Sequence, residues 1–253
     1  SEFEARLTQM RCRALLVPAG STSPAVAVAR ARGLPILELM PVVDGEAGLF
    51  TLGRGMPDGP PPHGPTSGVA EPGDIALVLH TSGTAARPKL VPLTHRNLCA
   101  SAQSIRTALA LVPGDRCLNV MPLFHIHGLS ALFASIAAGA SVVCIGRFAA
   151  RQFFEAMDAF HPTWYTAAPT IHREVLENAS RHPGVIERSS LRLIRSASAA
   201  MPRHLIAEME RVFQVPFIEA YGMTEAAPQI ASNRLPPMAT RTPTAAPSSE
   251  GGS

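Results

Sequence analysis

The stretch Leu79-His80-Thr81-Ser82-Gly83-Thr84-Ala85-Ala86-Arg87-Pro88-Lys89-Leu90-Val91 decides how the chain is read. It follows an apolar run, residues 75–79, whose pattern predicts a buried strand. It precedes Thr94-His95-Arg96-Asn97-Leu98, where Thr94 is positioned to cap a long helix. Between strand and helix lies a loop of small hydroxyl residues with one glycine and one lysine. Such a loop offers a phosphate backbone N–H groups, hydroxyl donors and a positive charge. Gly83 lets the backbone approach closely because it has no Cβ, and Lys89 adds charge without demanding a fixed geometry. A Walker A loop needs Gly directly before its Lys and Ser or Thr directly after it. Pro88 and Leu90 occupy those places, so the P-loop NTPase reading fails. Taken alone, the segment is also compatible with an ordinary polar loop.

From Asp74 onward the pattern alternates. Strands are predicted at residues 75–79, 117–121, 141–145, 164–167, 191–195 and 216–219. Helices are predicted at 94–111, 129–138, 149–160, 170–178 and 202–213. This alternation predicts an α/β fold with a mostly parallel sheet covered by helices on both faces. Ligands of such sheets bind at the carboxyl ends of strands, near a topological switch point. Before Asp74, residues 1–52 read as a partial α/β subdomain, with strands at 14–17 and 35–39 and a helix at 24–32. Residues 53–73, which contain Gly59-Pro60-Pro61-Pro62, read as a loop. Residues 74–235 form the central region, and residues 236–253 lack periodicity and are expected to be a disordered tail.

At 253 residues the chain is long enough for one large domain or two small ones, and its apolar content is that of a globular protein. The net charge of +3 is small and the basic residues are scattered, which argues against a nucleic-acid groove or a membrane-binding patch. No apolar run is long enough to span a bilayer and no signal peptide opens the chain. The four cysteines form no Cys-x-x-Cys pair, so neither a zinc site nor a disulfide framework is expected. Cys99 and Cys117 lie in apolar surroundings and are expected to be buried thiols. The pattern suits a reducing compartment, and the cytoplasm is the expected location. The opening Ser1-Glu2-Phe3 is not a natural initiation, so the chain reads as a piece of a longer protein.

The loop at residues 81–89 resembles the Thr-Ser-Gly-Thr…Pro-Lys phosphate loop of the adenylate-forming enzymes, which include acyl-CoA synthetases, aryl-CoA ligases, luciferases and peptide-synthetase adenylation domains. Two further segments match the same family in the same order. They are Met121-Pro122-Leu123-Phe124-His125-Ile126-His127-Gly128-Leu129 and Glu219-Ala220-Tyr221-Gly222-Met223-Thr224-Glu225. The resemblance spans residues 74–237 and is strongest to acid–CoA ligases. It implies that Thr81, Ser82, Gly83, Thr84 and Lys89 cradle the β- and γ-phosphates of ATP. It places adenine between Tyr221 and the loop Ala197-Ser198-Ala199, with Glu219, Ala220 and Gly222 alongside. Thr224 is then a donor to the α-phosphate and Glu225 an oxygen ligand for Mg²⁺. His125 gates the carboxylate pocket, which His127, Gly128, Ser198 and Ala220 line or support. Lys89, His125, Thr224 and Glu225 are the implied catalytic residues.

The residues read by themselves leave other possibilities open. His125 and His127 could hold a metal or form a buried, backbone-bonded pair. The loop at 196–200 could be a loose turn, and Thr224-Glu225 simply a helix start. The implied chemistry is attack of a carboxylate on the α-phosphorus of ATP, expulsion of pyrophosphate, and transfer of the acyl group to coenzyme A. Ala85, Ala86 and Leu90 depart from the family, which motivates the alternative of a non-catalytic or degenerate ATP- or AMP-binding domain. An unrelated hydrolase is disfavoured because no Gly-x-Ser-x-Gly elbow occurs. The family's ribose-binding aspartate, hinge and mobile domain with its adenylation lysine are not recognisable, so the chain alone is expected to be inactive. The run from Glu219 to Pro237 looks most like the branch of oxalate–CoA ligases and fatty-acid–CoA ligases, although Pro228 stands where that branch commonly has histidine. A small or medium carboxylic acid is the expected substrate, with oxalate a candidate.

Overall fold

The computed structural model describes residues 2–46, 48–53, 68–81 and 89–236. Ser82, Gly83 and Thr84 of the expected phosphate loop and the expected tail beyond Pro236 lie outside the described residues. The chain divides into two compact units, Ser1–Val69 and Ala70–Ser253.

The first unit contains helix α1 (Glu2–Gln9), strand β1 (Leu15–Pro18), helix α2 (Pro24–Ala31), strand β2 (Ile36–Pro41) and strand β3 (Phe50–Gly53). β1 runs parallel to β2, and β3 pairs antiparallel on the other side of β2. Helix α2 starts where Ser23 accepts a hydrogen bond from the Ala25 N–H and Pro24 presets the backbone.

The second unit opens with strands β4 (Ile75–Thr81) and β5 (Lys89–Thr94), an antiparallel pair with Thr81 opposite Lys89. This corrects the expectation of a buried strand leading through a loop to a helix. The pair is a separate two-stranded sheet with Ile75 63% exposed. Pro92 interrupts the β pattern of the second strand, which it can do because a two-stranded ribbon leaves an edge that needs no N–H donor. Helix α3 (His95–Ala108) follows directly. The Thr94 hydroxyl accepts from the Asn97 N–H, and the Asn97 side chain accepts from the Thr94 N–H, which closes a capping box.

The remaining elements are strand β6 (Arg116–Asn119), helix α4 (Ile126–Ala137), strand β7 (Ser141–Cys144), helix α5 (Ala150–Phe160) and strand β8 (Trp164–Ala167). Then come helices α6 (Pro169–Ala179) and α7 (Pro183–Glu187), strand β9 (Leu193–Ser196), helix α8 (Arg203–Phe213) and strand β10 (Phe217–Gly222). A single 3-10 turn (Thr224–Ala226) and strand β11 (Gln229–Ser232) complete the unit. The sheet order is β11-β10-β9-β8-β6-β7, parallel throughout except for β11. Helices α5, α6 and α8 cover one face through Phe153, Phe154, Met157, Val175, Met209 and Phe213. Helices α3 and α4 cover the other through Ile105, Leu109, Ala131 and Ala134. The expected mostly parallel, two-sided sheet is therefore present. The central strand β8 is buried along its whole length, as a strand covered on both faces must be.

Chain direction across the sheet reverses at β6, with β7 on one side and β8 on the other. Cys117 is fully buried, as expected, but Cys99 is exposed because it falls on the outer side of α3. Among the described residues no helix is long and apolar enough to cross a membrane.

Candidate functional site

The carboxyl ends of β9 and β10, the start of α4 and the 3-10 turn converge on a cavity of about 250 Å³. His125 and His127 enter from α4, Ala197 and Ser198 from the loop after β9, and Thr224 and Glu225 from the turn. Thr81, at the end of β4, completes the wall on another side. A second cavity of about 450 Å³ adjoins it, lined by Ser198, Ala199, Glu219, Tyr221 and Asn233 among others. Ser198, Ala220, Tyr221 and Gly222 line both. Four segments separated in sequence thus meet at one place.

Several of these residues are fixed by identifiable interactions. Strand β10 carries Glu219 through Gly222 itself, so this segment lies within a strand rather than after one. An ideal Cβ on Gly222 would sit 1.7 Å from the Pro228 carbonyl oxygen, so only glycine permits β11 to fold back this tightly. The Glu219 carboxylate accepts a 3.0 Å bond from the Met201 N–H, tying the 197–201 loop to β10. Ser198 holds φ +80°, a conformation that few residues other than glycine adopt. Tyr221 is 69% exposed, its ring available to a flat ligand.

His125 caps α4, its Nδ1 accepting from the His127 N–H at 3.2 Å. His127 is buried, with Nδ1 2.9 Å from Ser198 Oγ and Nε2 2.6 Å from Thr166 Oγ1. Burial, aided by the positive charge of Arg195, holds its pKa well below the ordinary value, so the ring is neutral at physiological pH. Thr166 Oγ1 also accepts from Arg195 Nη1 at 3.2 Å. Its own proton is best used toward His127 Nε2, which leaves His127 Nδ1–H to donate to Ser198. The Ser198 hydroxyl proton is then free to point into the cavity. Gly128 stands behind the wall rather than in it. A Cβ there would lie 2.5 Å from the Pro122 carbonyl oxygen, and its own carbonyl accepts from Asn119. Lys89 is exposed at the start of β5, opposite Thr81.

No cluster of three or more potential metal ligands exists among the described residues, which leaves the two-histidine metal reading without support. The carboxylate in the smaller cavity's wall is Glu225, which is exposed. A single carboxylate suits Mg²⁺ shared with phosphate oxygens and water, and does not suit an all-protein cage. Sequence reasoning missed Arg195, Thr166 and Gln229. The available signal was Arg195 directly after the apolar pair Leu193-Ile194 in a strand expected to be buried.

The neutral histidines make stability depend on pH. His172, buried and bonded to the Tyr165 hydroxyl, is held by burial at a pKa of about 4 against an ordinary 6.5. Its folded-state pKa is depressed, so unfolding takes up a proton between these values and stability is lost as pH falls below 6.5. The expected loss from this group between pH 7 and pH 5 is about 2 kcal/mol. Urea unfolding of wild type and His172→Phe across this range checks it. Equal pH slopes for the two proteins would contradict a neutral buried His172.

A family described as AMP-binding enzyme matches residues 1–250. The oxalate–CoA ligase of Arabidopsis thaliana is 46% identical over 171 residues, covering 66% of this chain and 33% of that protein. A Humulus lupulus protein described as "Probable CoA ligase CCL9" is 41% identical over 244 residues, covering 93% of this chain and 45% of its own length. Among solved structures, a malonyl-CoA ligase in complex with methylmalonyl-CoA and AMP superposes with a TM-score of 0.70 at 26% identity, over 88% of this chain and 44% of that one. The chain spans less than half the length of each of these relatives.

Proposed function

The chain belongs to the AMP-binding enzymes, and from that premise we propose that it is the nucleotide-binding part of an acid–CoA ligase. The convergence of Tyr221, Thr224, Glu225, His125 and Ser198 on one cavity carries this reading. The relatives that act as CoA ligases support it. Adenine stacks on Tyr221 in the larger cavity, over the small side chain of Ala199, with Ala197 on the adjoining wall of the smaller one. The Thr224 hydroxyl donates to the α-phosphate. Thr81, Ser82, Gly83, Thr84 and Lys89 receive the β- and γ-phosphates, a role supported by the pairing of Thr81 with Lys89 across β4 and β5.

The acid enters beside His125, with the Ser198 hydroxyl as donor and neutral His127 keeping that hydroxyl oriented. One carboxylate oxygen attacks the α-phosphorus, forming the acyl-adenylate as the bond to pyrophosphate breaks. The thiol of coenzyme A then attacks the acyl carbonyl and AMP leaves. Negative charge gathers on the phosphoryl oxygens in the first transition state, and fixed donors placed there lower its energy. Mg²⁺, when bound, supplies positive charge against those oxygens. Glu225, which makes no hydrogen bond or ion pair among the described residues, is the residue that would hold it. The substrate is a small or medium carboxylic acid, and the relatives acting on oxalate and malonate make diacids the first to test. The four free thiols suit the reducing cytoplasm.

Calorimetry of ATP·Mg binding tests the nucleotide site directly. Lys89→Ala and Glu225→Gln are each expected to weaken binding about tenfold, the scale of one charge-assisted hydrogen bond. Both side chains are exposed, so the fold should be unaffected. Unchanged affinity in both variants would reject the assignment.

A further inference from the structure

Strands β6, β8 and β9 carry a row of polar side chains across a sheet face that is otherwise apolar. Asn119 lies opposite Thr166, and Thr166 opposite Arg195, in the parallel registers. Leu193 and Ile218 share that face and belong to the core beneath α3 and α4. Arg195 is 1% exposed, yet its side chain reaches the smaller cavity's wall beside His127 and Ser198.

Its guanidinium has five N–H donors. Nη1 donates to Thr166 Oγ1 at 3.2 Å and Nη2 to Gln229 Oε1 at 3.0 Å, while Nε is buried with no acceptor. Both acceptors are neutral. Among the described residues of this unit the buried acid, Asp115, is bound to Arg192, and Glu219 is bound to the Met201 N–H. Among the described residues no carboxylate pairs with Arg195. A buried cation with only neutral partners is costly. Burial lowers its pKa to about 10, which still leaves it charged at neutral pH. His127 is neutral and adds no second charge. An anion in the cavity is the complement this arrangement lacks.

Resting on the reading that this cavity receives the acid to be activated, we propose that the acid carries a second anionic group, carboxylate or sulfonate, which Arg195 holds while the reacting carboxylate stays free near Thr224. A single carboxylate held in a guanidinium fork loses the negative charge it must present to phosphorus. A second anionic group satisfies the cation without that loss. The planar fork suits bidentate recognition of such a group. Gln229 then acts as a positioning residue, fixing the guanidinium from β11.

The test uses the 253-residue chain and two acids of matched shape, malonate and 3-methylbutanoate, in which an isopropyl group replaces the second carboxylate. Calorimetry with AMP present is expected to give malonate ~30-fold tighter than 3-methylbutanoate, the scale of a charge-assisted pair. Arg195→Met should abolish the preference and Arg195→Lys should keep part of it, with AMP affinity unchanged in both. Equal affinities in the wild type, binding of neither acid, or a malonate preference that survives in Arg195→Met would each overturn the proposal. Should Arg195→Met fail to fold by circular dichroism, the wild-type ratio and Arg195→Lys decide. Failure of the wild-type chain to bind AMP would instead overturn the proposed nucleotide site, which keeps the two conclusions separable.

Discussion

Replacing Gly222 with alanine is expected to destabilise the second unit by about 4 kcal/mol, at the upper end for a single substitution. The added Cβ would lie 1.7 Å from the Pro228 oxygen, 2.6 Å from its carbonyl carbon and 3.0 Å from the Gln229 Cα. All three are backbone atoms, so no side chain can swing away to relieve the overlap. Relief requires β11 to separate from β10, which breaks the Met223 N–H bond to the Pro228 carbonyl and the pairing of Gly222 with Gln229. Gln229 would move with it and release Arg195 Nη2. Tyr221 and Thr224 flank Gly222 in the cavity wall, so AMP affinity should also fall in conditions where the variant remains folded. Gly114→Ala is the control, since a Cβ there meets nothing within 4 Å. It should shift stability by no more than about 0.5 kcal/mol. Urea unfolding of both variants checks the contrast. Equal midpoints would mean that β11 does not fold back on β10 as described.

The parts of this fold that were legible in the sequence are those whose signal is local. Thr94 followed by Asn97 is a capping pair, and the helix begins there. Trp164–Ala167 is a short run of mostly aromatic and β-branched residues in a strand buried on both faces. Strand β5 was hidden because Pro92 breaks its pattern and because Lys89 reads more readily as a loop residue than as the start of a strand. Strand β11 (Gln229–Ser232) has Ile230 as its one large apolar residue, too little for a period to register, and is separated from the 3-10 turn by only two residues. Cys99 was misjudged because a helix turns a residue outward regardless of the apolar character of its neighbours in sequence.

The candidate site divides in the same way. Tyr221, Thr224, Glu225 and the two histidines stand in compact segments whose residue types suggest their chemistry. Arg195 does not, because a long side chain in a buried strand can end in solvent or in the core, and sequence is silent on which. Its partners, Thr166 and Gln229, are 29 and 34 residues away along the chain. Only the registers of β8 and β9 and the return of β11 bring them together. The resemblance to adenylate-forming enzymes located the cavity, but the unbalanced charge at its floor is a tertiary property.

Replacing Asp115 with alanine is expected to cost about 4 kcal/mol, because it strands a guanidinium whose partner was buried. Asp115 is 3% exposed and precedes β6 at the amino end of the sheet. Its Oδ1 accepts from Arg192 Nε at 2.7 Å and from Thr163 Oγ1 at 2.6 Å. Its Oδ2 accepts from Arg192 Nη2 at 2.8 Å and from the Val112 N–H at 2.9 Å. One carboxylate thus joins the turn after α3 to the starts of β8 and β9. Burial by itself would raise the Asp115 pKa. The bonds from Arg192, Thr163 and Val112 and the Arg192 charge outweigh it and hold the pKa below the ordinary 3.8. The folded-state pKa is the lower one, so this stabilisation is complete above about pH 4 and is lost as pH falls through the folded value. The gap between wild type and Asp115→Ala should accordingly narrow only below that pH, at the lower edge of the window between 6.5 and about 4 over which His172 takes up its proton on unfolding. Asp115→Leu combined with Arg192→Met should recover much of the loss, since it removes both charges. AMP affinity at neutral pH should remain near wild type in every folded variant, because the pair lies at the opposite ends of the strands from the cavity. Urea titrations at several pH values, run as a double-mutant cycle, measure the coupling. A coupling near zero, or a gap that already closes between pH 7 and pH 5, would show that Asp115 and Arg192 do not act as a buried pair.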